Sequence, residues 1–360
     1  MDNNHKTMFA LLRVALWGAE FDLSLLPASD AAWEQLFLTS KAQGVSAILF
    51  DGIMEIMRRT DDKLLGMSRK FKMRWLSAVD SIERRYARQQ SVAAKIASLC
   101  AEQGIEAVTF KGLSLSRYYP VPSHRQCGDI DIYALDGRGE QLDDALVAAG
   151  GVMLHKQPKH SELSLGGVMV EGHRYFVHRY FSPRAKWLNS VLEQSVVGGQ
   201  PMFECGGLYG STPQFDTLFV LYHAANHFML EGISLRHAMD WCYVVKNTQG
   251  NIGKVADIGL ERFSALLCRI GRDCLGFDFE ESLCRCDDAI YKRVLDDIAG
   301  SDVGKVNDKV GFVKLLWRKC CRFTSRRWVY SLVDNSFFMG VLNSLWGHIV
   351  QPKNLIRGNK

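Results

Sequence analysis

The 360-residue chain has no run of about 18 consecutive apolar residues, the length that a bilayer-spanning helix needs. The richest stretch, 331–350, is interrupted by Asp334, Asn335, Asn343 and His348. A secretory leader is equally hard to find. The chain opens on the polar Met1-Asp2-Asn3-Asn4-His5-Lys6, and Arg13 breaks the apolar run from Met8 to Trp17. A cytoplasmic protein without a transmembrane segment is therefore expected. Ten cysteines show no repeated C-x2-C pair and no histidines at zinc-finger spacing, so reduced, mostly buried thiols fit better than a disulfide framework. There is no internal repeat and no low-complexity tract, which argues against a solenoid or propeller. An apolar fraction of 47% and a charged fraction of 23% are ordinary for a folded chain and exclude collagen-like or disordered classes.

What is present divides into three. Residues 1–104 read as helices: Lys6–Gly18, a helix capped by Asp30 and running to Ala42, and a long stretch from Met67 to Gln103 stopped by Gly104. After Gly104 the pattern changes. Ile105–Phe110 is β-branched and apolar, and Lys111-Gly112 turns the chain into a short helix, Leu113–Tyr119. Asp129-Ile130-Asp131-Ile132-Tyr133 alternates acidic and apolar residues, the period of a half-buried strand. A helix over Gln141–Ala149 follows, then strands near Ser161–Leu165 and Val168–Phe176 joined by a Gly166-Gly167 hairpin turn. From Pro213 the chain is helical again, over Phe215–Leu230, Leu235–Lys246, Val255–Gly271 and Asp288–Ala299. The fold expected is α+β: a small mixed sheet at 105–212, flanked by helical regions at 1–104 and 213–360.

Asp129 and Asp131 stand two apart on one strand, so their side chains share a face while Ile130 and Ile132 enter the core. Neighbouring carboxylates repel, and a cation between them relieves the repulsion. Their hard oxygens suit Mg2+, with Mn2+ as the alternative. Lys111-Gly112 offers an ammonium and free backbone amides to phosphate oxygens, and Arg125 lies in the loop ahead of the carboxylates. Glu171 and His173 alternate on a later strand, where Glu171 can bring a third carboxylate to the same edge; Glu162 and Glu204 are its rivals. This combination matches metal-assisted phosphoryl transfer.

The run Val108-Thr109-Phe110-Lys111-Gly112, then Tyr118-Tyr119-Pro120-x-Pro122, then Arg125-x-x-Gly128-Asp129-Ile130-Asp131-Ile132 resembles the uncharacterised nucleotidyltransferase family of the DNA-polymerase-β-like superfamily. The likeness extends to Glu171-x-His173, to His223-x-x-x-His227 and to Leu235-Arg236-x-x-x-Asp240. It implies that Asp129, Asp131 and Glu171 are the catalytic, metal-binding carboxylates. It also implies that Lys111, Gly112, Ser114 and Arg125 meet the triphosphate of ATP or another NTP, with His173 beside them. The activity implied is transfer of a nucleoside monophosphate to an acceptor, a small molecule or a protein, with release of pyrophosphate. Two rivals stand beside it: a D-x-D glycosyltransferase using a nucleotide sugar, and a non-catalytic nucleotide-binding module.

Three further features carry weaker signals. His223 and His227 are one helical turn apart, a metal-ligand spacing, but the H-E-x-x-H glutamate and a third ligand are lacking, so zinc hydrolysis is set aside. Arg236 and Asp240 read as a helix ion pair. From Gly311 onward, nine Lys and Arg face one acid, a net of +8 in a chain of +5, which leaves −3 on residues 1–310. In a helix over 311–327, Lys314, Arg318, Lys319, Arg322 and Arg326 fall within an arc of ~140°. Such a face suits a weak anionic partner, a membrane surface or nucleic acid, and equally a helix docked on the body with its charges in solvent.

Overall fold

The computed structural model describes residues 2–60, 66–177, 183–203, 206–230, 232–300, 324 and 326–333. Four helices come first: α1 (Asn3–Trp17), α2 (Asp30–Ala42), α3 (Ser46–Arg59) and α4 (Arg69–Glu102). Asp2 caps α1 by accepting the His5 amide, and Gly18 ends it in the left-handed region. Ser29 rather than Asp30 caps α2, while Asp30 opens the helix and accepts the Ser68 amide at 3.1 Å. α3 falls in the region read as helical, though its bounds are not among the helices delimited there; it buries Ile48, Leu49, Ile53 and Ile56, a helical apolar stripe.

The middle of the chain builds a six-stranded mixed sheet. Its strands are β1 (Ala107–Phe110), β2 (Ile130–Ala134), β3 (Val152–Lys156), β4 (His160–Leu165), β5 (Val168–His173) and β6 (Leu208–Gly210). Between them lie α5 (Gly112–Ser116), α6 (Gly139–Ala148) and α7 (Pro183–Ser195). The order is β3-β4-β5-β2-β1-β6, with β1–β6 and β2–β5 parallel and the other pairs antiparallel. Gly166 and Gly167 both take positive φ (57° and 75°), as a tight hairpin turn between β4 and β5 requires. The α+β architecture expected from the sequence is the one found.

α8 (Pro213–Leu230), α9 (Leu235–Asn247), α10 (Glu261–Leu275) and α11 (Asp288–Gly300) follow. The helix expected over Val255–Gly271 is in fact two pieces. A 3-10 segment, Gly253–Ile258, stops at Gly259 (φ 67°), and α10 starts at Glu261. The helices before the sheet and those after it share one hydrophobic core, in which α1 packs on α10.

Strand alternation divides the sheet into two faces. Ile130, Ile132, Leu163, Leu165, Val168 and Val170 pack with Ala93, Ile96 and Ala97 of α4 and Leu142 and Leu146 of α6. On the opposite face, Val108 and Phe110 join the core that contains Phe176, Phe215 and Phe219. Asp131, Tyr133, Glu162 and Glu171, with His160 and His173, lie on this second face, whereas Ser161 of β4 turns to Asp143 of α6. Of the basic arc, Lys314, Arg318, Lys319 and Arg322 lie outside the described residues; Arg326 donates to Asp297 Oδ1 at 2.5 Å and to the Phe228 carbonyl at 3.0 Å.

Candidate active site

Register fixes a lateral row of side chains. Phe110 of β1 is paired with Asp131 of β2, Asp131 with Glu171 of β5, and Glu171 with Glu162 of β4. Two residues along, Tyr133, His173 and His160 form a second row. Pairing across strands thus places carboxylates from three segments of chain side by side. One ligand atom each from Asp131, Glu171 and His173 lies within 4.8 Å of the others, and the same holds for His160, Glu162 and Glu171. Glu204 is outside the described residues.

Asp131 is buried, and one oxygen carries its load. Oδ1 accepts from Lys111 Nζ at 2.6 Å and lies 2.8 Å from His173 Nε2. Burial alone would raise its pKa, but Lys111 and His173 hold it well below the usual carboxylate range. Glu171 is likewise lowered: burial opposes ionisation, and the nearby His173 ring, Nε2 at 3.4 Å, outweighs it. Asp129, just ahead of β2, behaves oppositely. Burial, then Asp131 and Glu171, push its carboxyl up to about 6.

Lys111 sits on the β1–α5 turn at φ 54°, ψ −131°, a region that L side chains rarely adopt. Such a conformation costs on the order of 1–3 kcal/mol and persists where surrounding structure over-determines it. Its ammonium is opposed by burial, yet Asp131, Glu171 and Asp129 keep its pKa raised. Gly112 sits close to its neighbours: a Cβ there would meet the Asp129 carbonyl oxygen at a tight 3.3 Å and Cys127 Cβ at an ordinary 3.5 Å.

Ser114 and Arg125 stand nearby in other company. Ser114 Oγ accepts from Arg117 Nη1 (2.7 Å) and the Ser211 amide (3.1 Å), joining α5 to the end of β6. Arg125 is buried and grips Asp240 with two bonds, Nε to Oδ1 at 2.7 Å and Nη2 to Oδ2 at 2.8 Å. Its Nη1 donates to the Gly112 carbonyl at 2.9 Å. The expected Arg236–Asp240 helix pair gives way to this clamp, which Tyr119 Oη completes at 2.7 Å on Asp240, while Arg236 donates to the Gln126 carbonyl.

The model of a family described as uncharacterised nucleotidyltransferases matches residues 29–276, more than half of the chain and all of the elements above from α2 to α10. The chain belongs to that family. No curated protein and no solved structure gives a significant match. The family's description makes the chain a nucleotidyltransferase, and nucleotidyltransferases act on nucleotides.

For a nucleotidyltransferase the donor set is apt. Asp131 and Glu171 bring their donor atoms together with His173. Asp129 is not among that group but feels both acids, and all three acids act on the ammonium of Lys111, a surplus of negative charge that a hard divalent cation would neutralise. Two further residues of the site were missed in the sequence. Lys159 precedes β4, where burial and then Lys111 push its ammonium down to about 8, against the pull of Glu171 and Asp131. His160 joins Glu162 and Glu171. Neither had a signal along the chain, because only the β4–β5 pairing brings them to the carboxylates. Among the described residues no helix is long and apolar enough to cross a membrane.

Proposed function

We propose that this nucleotidyltransferase moves a nucleoside monophosphate from an NTP, ATP among the candidates, to the hydroxyl of an acceptor. The acceptor is a small molecule or a protein side chain. The acceptor oxygen bonds to the α-phosphorus, the bond from that phosphorus to the β-phosphate oxygen breaks, and its electron pair leaves with pyrophosphate. The acceptor's proton passes to solvent. The observation that carries this reading is the lateral pairing of Asp131 with Glu171, both of which act electrostatically on Asp129.

In this reading Asp129, Asp131 and Glu171 hold Mg2+, or Mn2+ in its place. When bound, the ion neutralises phosphate charge and lowers the pKa of the attacking hydroxyl. Lys111 keeps Asp131 ionised and, with Lys159, supplies the cationic side of the phosphate site. His173 orients Asp131 from the neighbouring strand, β5. Gly112 lets the phosphates approach the backbone of the turn. Arg125 and Ser114 act one layer behind, fixing the Gly112 carbonyl and the β6 edge. Six of the seven described cysteines are buried, and a reducing, cytoplasmic setting is the one proposed for them.

The test is incubation of the full chain with each NTP, Mg2+ and a host-cell extract, read by intact mass and by pyrophosphate release. A mass gain of one nucleoside monophosphate on an acceptor, with matching pyrophosphate, is expected. Release of a nucleoside diphosphate from a nucleotide sugar would instead favour glycosyl transfer. Silence with every NTP would remove the catalytic reading.

A further inference from the structure

Apart from the carboxylates, α8 and α9 bring three histidines together. His223 and His227 lie one turn apart on α8, and His237 in the first turn of α9 meets them. The ring centroids are 4.5 Å apart for His223 and His227, 5.1 Å for His227 and His237, and 6.2 Å for His223 and His237. One ring nitrogen of each lies within 4.8 Å of the other two. All three are half-buried. The sequence offered only the first two, because His237 is ten residues further on and across a turn.

The surroundings suit neutral imidazole. Burial and then Lys111 hold His223 well below its ordinary pKa, and burial and then Arg236 bring His237 to about 3. Imidazoles that do not hold a second proton at neutral pH are ready ligands, since binding must displace no proton from them. His237 Nδ1 accepts from the Ser234 amide at 3.2 Å and lies 3.0 Å from Ser234 Oγ. Ligation through Nε2 moves the ring proton to Nδ1, where Ser234 Oγ can accept it in place of the amide contact.

We propose that His223, His227 and His237 bind one transition-metal ion of the Zn2+ class at a site distinct from the carboxylates. Three nitrogen donors select borderline ions over Mg2+, which prefers oxygen. Three protein ligands leave a coordination position open for water or an anionic oxygen. Phe219 stacks on His223 at 5.8 Å, and Lys111 Nζ lies 5.7 Å from the Phe219 ring centroid, so a single aromatic ring separates the two centres. The proposal does not depend on the NTP reading.

The full chain, stripped with a chelator, is titrated with Zn2+ by calorimetry and with Co2+ by visible absorption. The parent should bind an ion with nitrogen-ligand, four-coordinate Co2+ bands. Asp129→Asn, which alters the carboxylate site and keeps the fold at pH 8, should keep that ion. His227→Ala and His237→Ala should each lose more than the roughly 10–100-fold that an outer-shell partner is worth. Two variants are used because His237 also helps cap α9. Absence of Zn2+ binding in the parent, unchanged affinity in both histidine variants, or loss of the ion in Asp129→Asn would overturn the site.

Discussion

Two buried ion pairs lie within the same wall of this molecule, and they are built on opposite plans. Arg125 and Asp240 are matched: two N–H groups meet two oxygens, Tyr119 adds a third bond to Asp240, and the remaining Arg125 nitrogen meets the Gly112 carbonyl and Cys127 Sγ. Lys111 and Asp131 are unmatched. One point charge on a positive-φ residue faces Asp131 while Glu171 and Asp129 crowd the same space. A saturated pair holds a fold together, whereas a strained pair with surplus acid is arranged for something that arrives later. In the function proposed above, the difference separates residues that shape the site from residues that act in it.

The largest effects should come from the surplus side. Asp129→Asn and Asp131→Asn should each lower nucleotidyl transfer by about 1,000-fold or more, the several kcal/mol that charge neutralisation by a metal supplies. Their stabilities should diverge. Asp129 has a folded pKa of about 6, above its ordinary 3.8, so its contribution is present below 3.8 and lost as pH rises through 6. At pH 8 the Asn variant should therefore be more stable than the parent, by up to about 3 kcal/mol. Asp131→Asn removes the partner of a buried ammonium and should be less stable, by ~3–5 kcal/mol. Pyrophosphate release and melting at pH 5 and 8 read both effects. Melting shifts of one sign in the two variants would erase the contrast.

The matched side should break differently. Arg125→Ala leaves Asp240 buried without its partner, at a cost of ~3–5 kcal/mol in folding. NTP affinity of the folded fraction, measured with Mg2+ by calorimetry, should change by less than melting does. A variant that melts like the parent but binds NTP poorly would move Arg125 from the wall into the phosphate site.

What could be read along the chain was local. The alternation Asp129-Ile130-Asp131-Ile132 announced a strand with two unlike faces, and Ile130 and Ile132 are fully buried against α4 and α6. Glu171 was reachable from the same period-two logic on Val168–His173. Long-range partners were not reachable: Asp240 lies 115 residues from Arg125, and no periodicity links Lys159 to Lys111. β3 and β6 are the strands at the sheet's two edges; β3 mixes exposed and half-buried positions, and β6, though buried at Leu208 and Gly210, is only three residues long, too short to show a period. Gly259 broke a helix whose apolar spacing ran on either side of it.

Lys159 sharpens the comparison from the cationic side. Its ammonium is depressed to about 8 by burial and by Lys111, a strain that an incoming phosphate would relieve. Lys159→Met should weaken NTP binding by about 1.5–3 kcal/mol, the value of a hydrogen bond to a charged group, with little loss of melting temperature. Calorimetry on the parent and the variant decides it. Equal affinities would return Lys159 to a structural role.

A third cation–carboxylate centre lies between these extremes and gives the smallest effect. His124 joins α3 to α4, with Nδ1 2.7 Å from Asp51 and Nε2 2.9 Å from Glu83. Burial opposes its protonation, but the bonds to Asp51 and Glu83 prevail and raise its pKa above 6.5. A raised histidine contributes stability that is complete below 6.5 and fades as pH climbs through the folded value. The parent should therefore lose more stability between pH 6 and 8 than His124→Gln does. The carboxylates are partly exposed and screened, so the difference should be ~1 kcal/mol or less. Urea melts of both proteins across that range measure it, and parallel pH profiles would place His124 with the saturated, pH-indifferent contacts instead.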